Sequence, residues 1–467
     1  MILSRRRFIR NFGLGAAGLG LASTGTTLGR QAVRPESEKL LVKNPAHPPP
    51  APTGADRLPL SSYKATVKRL REKAGAQGVD VIVIEDSWNM SYFSGNFMTK
   101  TERPCWVVFP VKEDAAWWYS PGLDNEIVKS WWCSGIDYYY DFPHAAGGYP
   151  DQGNVTKGPA VDLFVWMLEG LKKRGYGEKT FGFDSEFTPS KMKRALGVLP
   201  KAKFVDIGPI CIGMRMVKTP DEIALVQRAM DYFARIHAFG RDYILKRGTD
   251  ATDYEIGMAV QEYGTNLILA DVKRDGRPHN AVGIRVGIGC RTGVGTAYPH
   301  PNQFHHNKVK KGDSLQISGA VTIGGYGGEL YRYYQIAPWD AHREKVWDVV
   351  TETVHIQERE SKAGARCQDV AFKVHNFQVK QGPAIQKLLY QRVGHGQGME
   401  GHQPPYIALG DETVLQEGMT FSVEPGLFDP AGGFGYNPSD CLLVTKAKGV
   451  LMGDAAPYTK EWMFLKL

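Results

Sequence analysis

The chain has 467 residues, of which 42% are apolar, 23% charged and 53 are glycine. At roughly 100–200 residues per domain this length implies two domains, and the composition excludes a disordered or fibrous protein. The net charge is +8, but Arg5, Arg6, Arg7, Arg10, Arg30 and Arg34 all precede the first acid, Glu36, so 8 minus 6 leaves +2 for the rest; without a clustered basic stripe, nucleic acid is not an expected partner.

In chain order, Ser4-Arg5-Arg6-Arg7-Phe8-Ile9-Arg10 leads into GLGAAGLGLASTGTTLG, a short apolar run without acids. A basic stretch ahead of a short apolar one is the layout of a signal peptide, and this one resembles a twin-arginine signal over residues 1–30. The run is too short and glycine-rich to anchor the chain in a membrane. The expected partner is the twin-arginine export machinery, and the expected location is periplasmic or extracellular. Residues 31–60, with Asn44-Pro45 and PPPAP at 48–52, read as a stiff proline-rich linker.

From Tyr63 the pattern becomes α/β. KATVKRLREKAGAQG predicts an amphipathic helix ending at Gly78, VDVIVIE a buried strand, TERPCWVVFP a second strand, DLFVWMLEGLKKRG a helix and TFGFDSE a strand. The aromatics of WWYS, SWWCSG and DYYYDF read as packing residues. Near 215 a new unit begins, with Thr219 as helix N-cap, Pro220 at the first helical position and Asp221 and Glu222 suited to the positive end of the helix dipole. Glycine-rich strands then alternate with helices such as KVWDVVTETVHIQERESKAG. The division is 61–212 and 213–467. Six cysteines (Cys105, Cys133, Cys211, Cys290, Cys367, Cys441) show no metal-type spacing and read as buried thiols.

Chemistry concentrates in TAYPHPN (296–302), GDSLQISGAVTIGGYGGELYR (312–332), GHGQGMEGHQPPY (394–406) and FSVEPGLFDPAGGFGYNPSD (421–440). These segments resemble the pita-bread fold of the M24 family, which includes aminopeptidase P, prolidase, methionine aminopeptidase, creatinase and the DMSP lyase DddP. RLREKAGAQGVDVIVIEDSWNMSYFSGN is similar to the opening of the creatinase/prolidase N-terminal domain. The implied fold class is α/β (α+β), a creatinase-like N-terminal domain followed by a pita-bread catalytic domain, and the implied assembly is a homodimer.

The resemblance implies five metal-ligand positions, which here read Ser318, Glu329, His395, Glu424 and Ser439. Neutral hydroxyls at two of them argue against a dinuclear centre. What remains is no metal at all, or one divalent ion (Mn, Fe or Zn) at Glu329, His395 and Glu424. The resemblance to creatinase makes His300 the acid/base residue, His402 a donor to a substrate carbonyl or oxyanion, and His395 a substrate ligand where no metal binds. Glu329 and Glu424 then form an acid/base or cation-recognising pair, or an ion pair with Arg332. Tyr331 and Arg332 join the substrate-binding set, and Arg103 matches the arginine with which creatinase holds its substrate's carboxylate across the dimer. His305 and His306 read as loop residues.

The expected activity is hydrolysis of a C–N bond in a small-molecule or short-peptide substrate, creatinase-like and without the usual dinuclear site. The alternatives are an Xaa-Pro aminopeptidase or dipeptidase with a modified metal site, a non-catalytic binding protein, or a DddP-like lyase.

Overall fold

A computed structural model describes residues 57–98, 101–143, 147–151, 159–274, 277–278, 283–302 and 306–467. The expected export signal, the expected linker as far as residue 56, and His305 lie outside the described residues.

The first domain opens with α1 (Leu60–Gly75), which lies close to the amphipathic helix that the sequence predicts and buries Tyr63, Thr66, Val67, Leu70 and Ala74 along one stripe. Strand β1 (Val81–Ile84) and α2 (Ser87–Ser94) follow, the helix capped by Asp86, which accepts from the backbone of Trp88 and Asn89. Then come β2 (Trp106–Pro110), β3 (Trp117–Pro121), β4 (Gly135–Tyr139), α3 (Leu163–Leu171), β5 (Thr180–Phe183), α4 (Pro189–Val198), β6 (Lys203–Asp206) and α5 (Gly208–Met216). The strands form one six-stranded sheet in the order β4-β3-β2-β1-β5-β6.

Both faces of this sheet are covered, which explains the unbroken apolar runs. Val81, Val83, Trp106 and Val108 face α3, while the alternate residues Ile82, Ile84, Val107 and Phe109 belong to a core that continues into the second domain. Tyr92 donates to the Met214 carbonyl at 2.9 Å across that packing. Of the aromatic segments, Trp118, Tyr119 and Trp132 are buried as expected, whereas Tyr138 and Phe142 are exposed.

The second domain begins with α6 (Pro220–Arg247), capped as expected by Thr219. Glu222 closes a capping box there instead of acting only on the dipole, and its other oxygen accepts from Tyr326 at 2.9 Å. After α7 (Asp253–Asp271) come β7 (Arg285–Thr292), β8 (Ser314–Ile323), β9 (Tyr326–Glu329) and β10 (Arg332–Ile336), then α8 (Ala341–Glu360) and α9 (Cys367–Lys380). Strands β11 (Gly394–Gly396), β12 (Gln403–Ile407), β13 (Thr420–Val423), β14 (Leu427–Asp429), β15 (Phe434–Tyr436), β16 (Cys441–Val444), β17 (Gly449–Leu451) and β18 (Phe464–Leu465) complete it.

One sheet runs β7-β8-β10-β18 with β9 folded back on β8; the other runs β12-β11-β13-β16-β17. An antiparallel bridge between Tyr331 and Ser439 joins them, with the Tyr331 amide donating to the Ser439 carbonyl at 2.9 Å. All six cysteines are free thiols.

Candidate functional site

The candidate site lies on the seam between these two sheets. Ser318 sits on β8 opposite Gly289, and Glu329 ends β9 opposite Ala320. His395 is the middle residue of β11, Glu424 follows β13, and Ser439 precedes β16. Each side chain is therefore aimed by a strand or a strand end, where backbone position is tightly set.

Glu329 is placed by a close approach. A Cβ on Gly328 would lie 2.4 Å from Gln397 Oε1, and that same oxygen accepts the Glu329 amide at 2.9 Å. The nitrogen of Gln397 donates to the Phe421 carbonyl at 3.2 Å, so one side chain ties β9 to β13.

His395 is fully buried. Its Nδ1 lies 3.1 Å from the Gly396 carbonyl, which can only accept, so Nδ1 carries a hydrogen and Nε2 points at the carboxylates. Nε2 stands 3.2 Å from Glu424 Oε2 and 3.6 Å from Glu329 Oε2, yet makes no well-formed hydrogen bond. His402 stacks on His395 with ring centroids 3.8 Å apart; its Nδ1 accepts from Arg392 at 3.2 Å and its Nε2 lies 3.9 Å from Glu329 Oε1.

The charges follow from this packing. Burial pushes the Glu329 carboxyl up, and the neighbouring Glu424 adds to the rise although His395 opposes it. Burial would also raise Glu424, but the neighbouring His395 holds it below the ordinary value. For His395, burial favours the neutral ring, and the two carboxylates outweigh it, raising the imidazole to about 10 in the metal-free protein. His402 is lowered by burial and by the charge of His395.

A buried imidazole nitrogen facing two carboxylate oxygens needs a proton or a metal cation between them. Ligand atoms of Glu329, His395 and His402 lie within 4.8 Å of one another, and Glu424 flanks the same nitrogen, so the donors fit one divalent ion. They do not fit a second. Ser318 lines the cleft as a neutral hydroxyl, and the Oγ of Ser439 is turned to Ser422 Oγ at 2.7 Å.

Beside the seam opens a cleft of about 510 Å³. Tyr254, Met258 and Ile288 line it, as do His300, Ser318, Tyr331, His402 and Glu424. His300 is exposed at the rim. Burial raises the Tyr331 hydroxyl far above its ordinary value, as do the charges of Glu329 and Glu424.

One sequence expectation needs correction. Arg332 does not face the cleft: it is fully buried, pairs with Asp440 Oδ2 at 2.6 Å and spends its other donors on Ala456, Tyr331, Ser439, Gly453 and Tyr458. It neither binds substrate nor pairs with Glu329 or Glu424, because Asp440 already holds it. Arg103 lies on a separate cleft of about 610 Å³ at the first domain, which touches the site only through His402 and neighbours such as Pro404 and Tyr406. Within one chain its guanidinium is engaged by Asp141 and by Glu102 at 3.2 Å.

Residues that sequence reasoning missed are Ser422, Gln397 and Arg392. The first two stand two places from Glu424 and His395, a same-face spacing that a period of two makes readable. Arg392 carries no such signal.

The model of metallopeptidase family M24 matches residues 225–446, and that of the creatinase/prolidase N-terminal domain matches residues 67–217. The chain has the M24 fold. Its M24 domain follows a creatinase-type N-terminal domain, as the sequence implies. The chain is 22% identical to an Xaa-Pro dipeptidase of Pyrococcus horikoshii over 81% of its own length and 94% of that protein. It is 24% identical to a creatinase of a Bacillus species, covering 81% and 87%. The structure of an X-Pro aminopeptidase from Thermotoga maritima superposes with a TM-score of 0.68 at 19% identity, covering 86% of this chain and 99% of that one. The M24 family typically uses divalent metals, and the cluster of Glu329, His395 and His402 is where this M24 domain gathers such ligands.

Proposed function

We propose that this M24-fold chain is an exported, homodimeric hydrolase that cleaves a C–N bond in a small polar molecule or short peptide, using at most one divalent ion. The observation that carries the reading is the pairing of a buried, carboxylate-flanked His395 Nε2 with hydroxyls at Ser318 and Ser439. A dinuclear centre needs carboxylates where these serines stand.

Glu424 and Glu329 position the attacking water or a cationic group of the substrate around His395, and Glu329, raised by burial, is the better proton holder of the two. His300, in the lining of the same cleft, is the acid/base residue. His402, with Nδ1 accepting from Arg392, turns an Nε2–H toward the site as a donor to a carbonyl or developing oxyanion. Tyr331 lines the same cleft, and its hydroxyl feels the charge of Glu329. Glu329, His395 and His402 or Glu424 would hold an ion, whose chemistry would be to polarise a carbonyl or activate water.

Metal analysis of protein purified without chelator, followed by a screen of amide, amidine and guanidine substrates with wild type and His300→Ala, tests the reading. One ion or none per chain and His300-dependent turnover are expected; two bound ions would overturn it. A second reading, an Xaa-Pro peptidase with a rebuilt metal site, is favoured by Tyr254, Met258 and Ile288 in the cleft lining, which suit a prolyl ring or apolar side chain. EDTA-sensitive cleavage of an Xaa-Pro dipeptide would select it. Absence of any turnover would leave a binding protein, and elimination without water uptake a lyase.

A further inference from the structure

Arg215 belongs to α5, the last helix of the first domain, and only 6% of its side chain is exposed. Its Nη1 lies 3.0 Å from Glu400 Oε2 in the second domain, and among the described residues it pairs with no other carboxylate. Nε and Nη1 are buried without a well-formed hydrogen bond, so Glu400 is what offsets the guanidinium charge. A pair with one member so far out of water constrains its partner more than a surface pair does. Arg215, Glu400 and His402 line one cleft, that of Arg103.

Glu400 stands two residues before His402, in the loop that joins β11 to β12. The base of that loop is fixed by its backbone. The Gln397 amide donates to the Thr420 carbonyl at 3.0 Å, Thr420 Oγ1 returns a bond to the Gln397 carbonyl at 2.6 Å, and the Gly327 amide donates to the Gly398 carbonyl at 2.8 Å. A Cβ on Gly398, whose φ is 142°, would lie 2.5 Å from Lys218 Cε, so the loop passes tight against the segment that joins the two domains. Beyond Gly398 this support stops. Among the described residues, Met399, Glu400, Gly401 and His402 make no backbone–backbone hydrogen bond. Their placement falls to side chains: Met399 in the core, Glu400 on Arg215, and the His402 ring on His395 and Arg392.

We infer that Arg215 is a positioning residue for the site: acting through Glu400, it holds the loop that presents His402 beside His395 and Glu329. The first domain thus shapes the catalytic domain's site through a single ion pair. What His402 does in a reaction rests on the proposed hydrolase reading; where His402 stands does not, and the test uses no turnover.

Carbethoxylation by diethyl pyrocarbonate, resolved residue by residue by mass spectrometry on the full-length protein, reads the placement of His402. In the wild type its ring is stacked on His395 and its Nδ1 is taken by Arg392, which slows attack; a ring freed from both offers either nitrogen. His300, in the lining of the other cleft, is the internal control. Arg215→Met keeps an apolar stem without the charge and should speed modification of His402 at least about threefold while leaving His300 unchanged. Glu400→Gln should behave alike, and Arg215→Lys, which restores the charge, should return most of the wild-type rate. An unaltered His402 rate in either charge-removing variant with its melting temperature retained would overturn the assignment, as would equal acceleration at His300 and His402, the mark of general loosening. If Arg215→Met does not fold, Glu400→Gln, made at the more exposed partner, decides alone. A selective effect at His402 in a protein without any turnover would leave the positioning role standing and defeat the hydrolase reading alone.

Discussion

The hydroxyls of Ser439 and Ser422 lie 2.7 Å apart, and Ser422 Oγ reaches on to Glu329 Oε2 at 3.4 Å. A hydrogen-bonded pair of neutral groups thus stands beside the carboxylate-histidine cluster, at a position where M24 resemblance implies a ligand. If the lost carboxylates are what limit metal content, restoring them should restore capacity. Ser318→Asp combined with Ser439→Glu is expected to raise bound metal toward two ions per chain, measured by elemental analysis. Without metal the buried new charges should lower the melting temperature, and Mn²⁺ should recover it. Unchanged stoichiometry in a folded variant would count against the register of the site.

Arg332 and Asp440 form an ion pair with neither side chain exposed. Removing one partner leaves the other charged and buried, so Arg332→Met should destabilise the protein by about 3–5 kcal/mol. Adding Asp440→Leu should recover much of that loss. Chemical denaturation of the three proteins checks this, and a single variant as stable as wild type would contradict the structural role.

His237, in α6, is buried with Nε2 2.9 Å from the Leu330 carbonyl, and burial followed by the charge of Arg332 lowers it from 6.5 to about 3. The unfolded chain therefore binds a proton that the folded chain refuses. Stability should fall as pH drops from about 6.5 toward 3, by at most about 1.4 kcal/mol per pH unit from this residue. His237→Gln keeps a donor for Leu330 and should flatten that part of the pH-stability curve, seen as a smaller loss of melting temperature between pH 6.5 and 4.

Export by the twin-arginine route predicts that Arg5→Lys with Arg6→Lys retains the protein in the cytoplasm, whereas the same change at Arg30 and Arg34 does not. Cell fractionation with an antibody against the chain reads the outcome, and unaltered export of the first variant would remove the signal assignment.

Much of the fold was legible because its signals are local. Thr219 and Pro220 announce α6, and the strand around Ile82 follows from an unbroken β-branched run with both faces covered. The His and Glu members of the site were legible through motif resemblance, and His395, Glu329, His402 and Glu424 do converge. Arg332 misled because its neighbours in sequence face the cleft while its partner, Asp440, lies more than a hundred residues away. Arg392 was invisible for the same reason: its role depends on His402, a contact that only folding creates.

The division of the site between two sheets has a mechanical consequence. Glu329 belongs to the sheet of β8 and β9, while His395 and Glu424 belong to that of β11 and β13. Any ion or ligand gripped by both therefore acts as a rivet across the two halves of the domain. Occupancy should stiffen the whole second domain against opening, so that amide exchange slows in strands far from the ligand as well as around it.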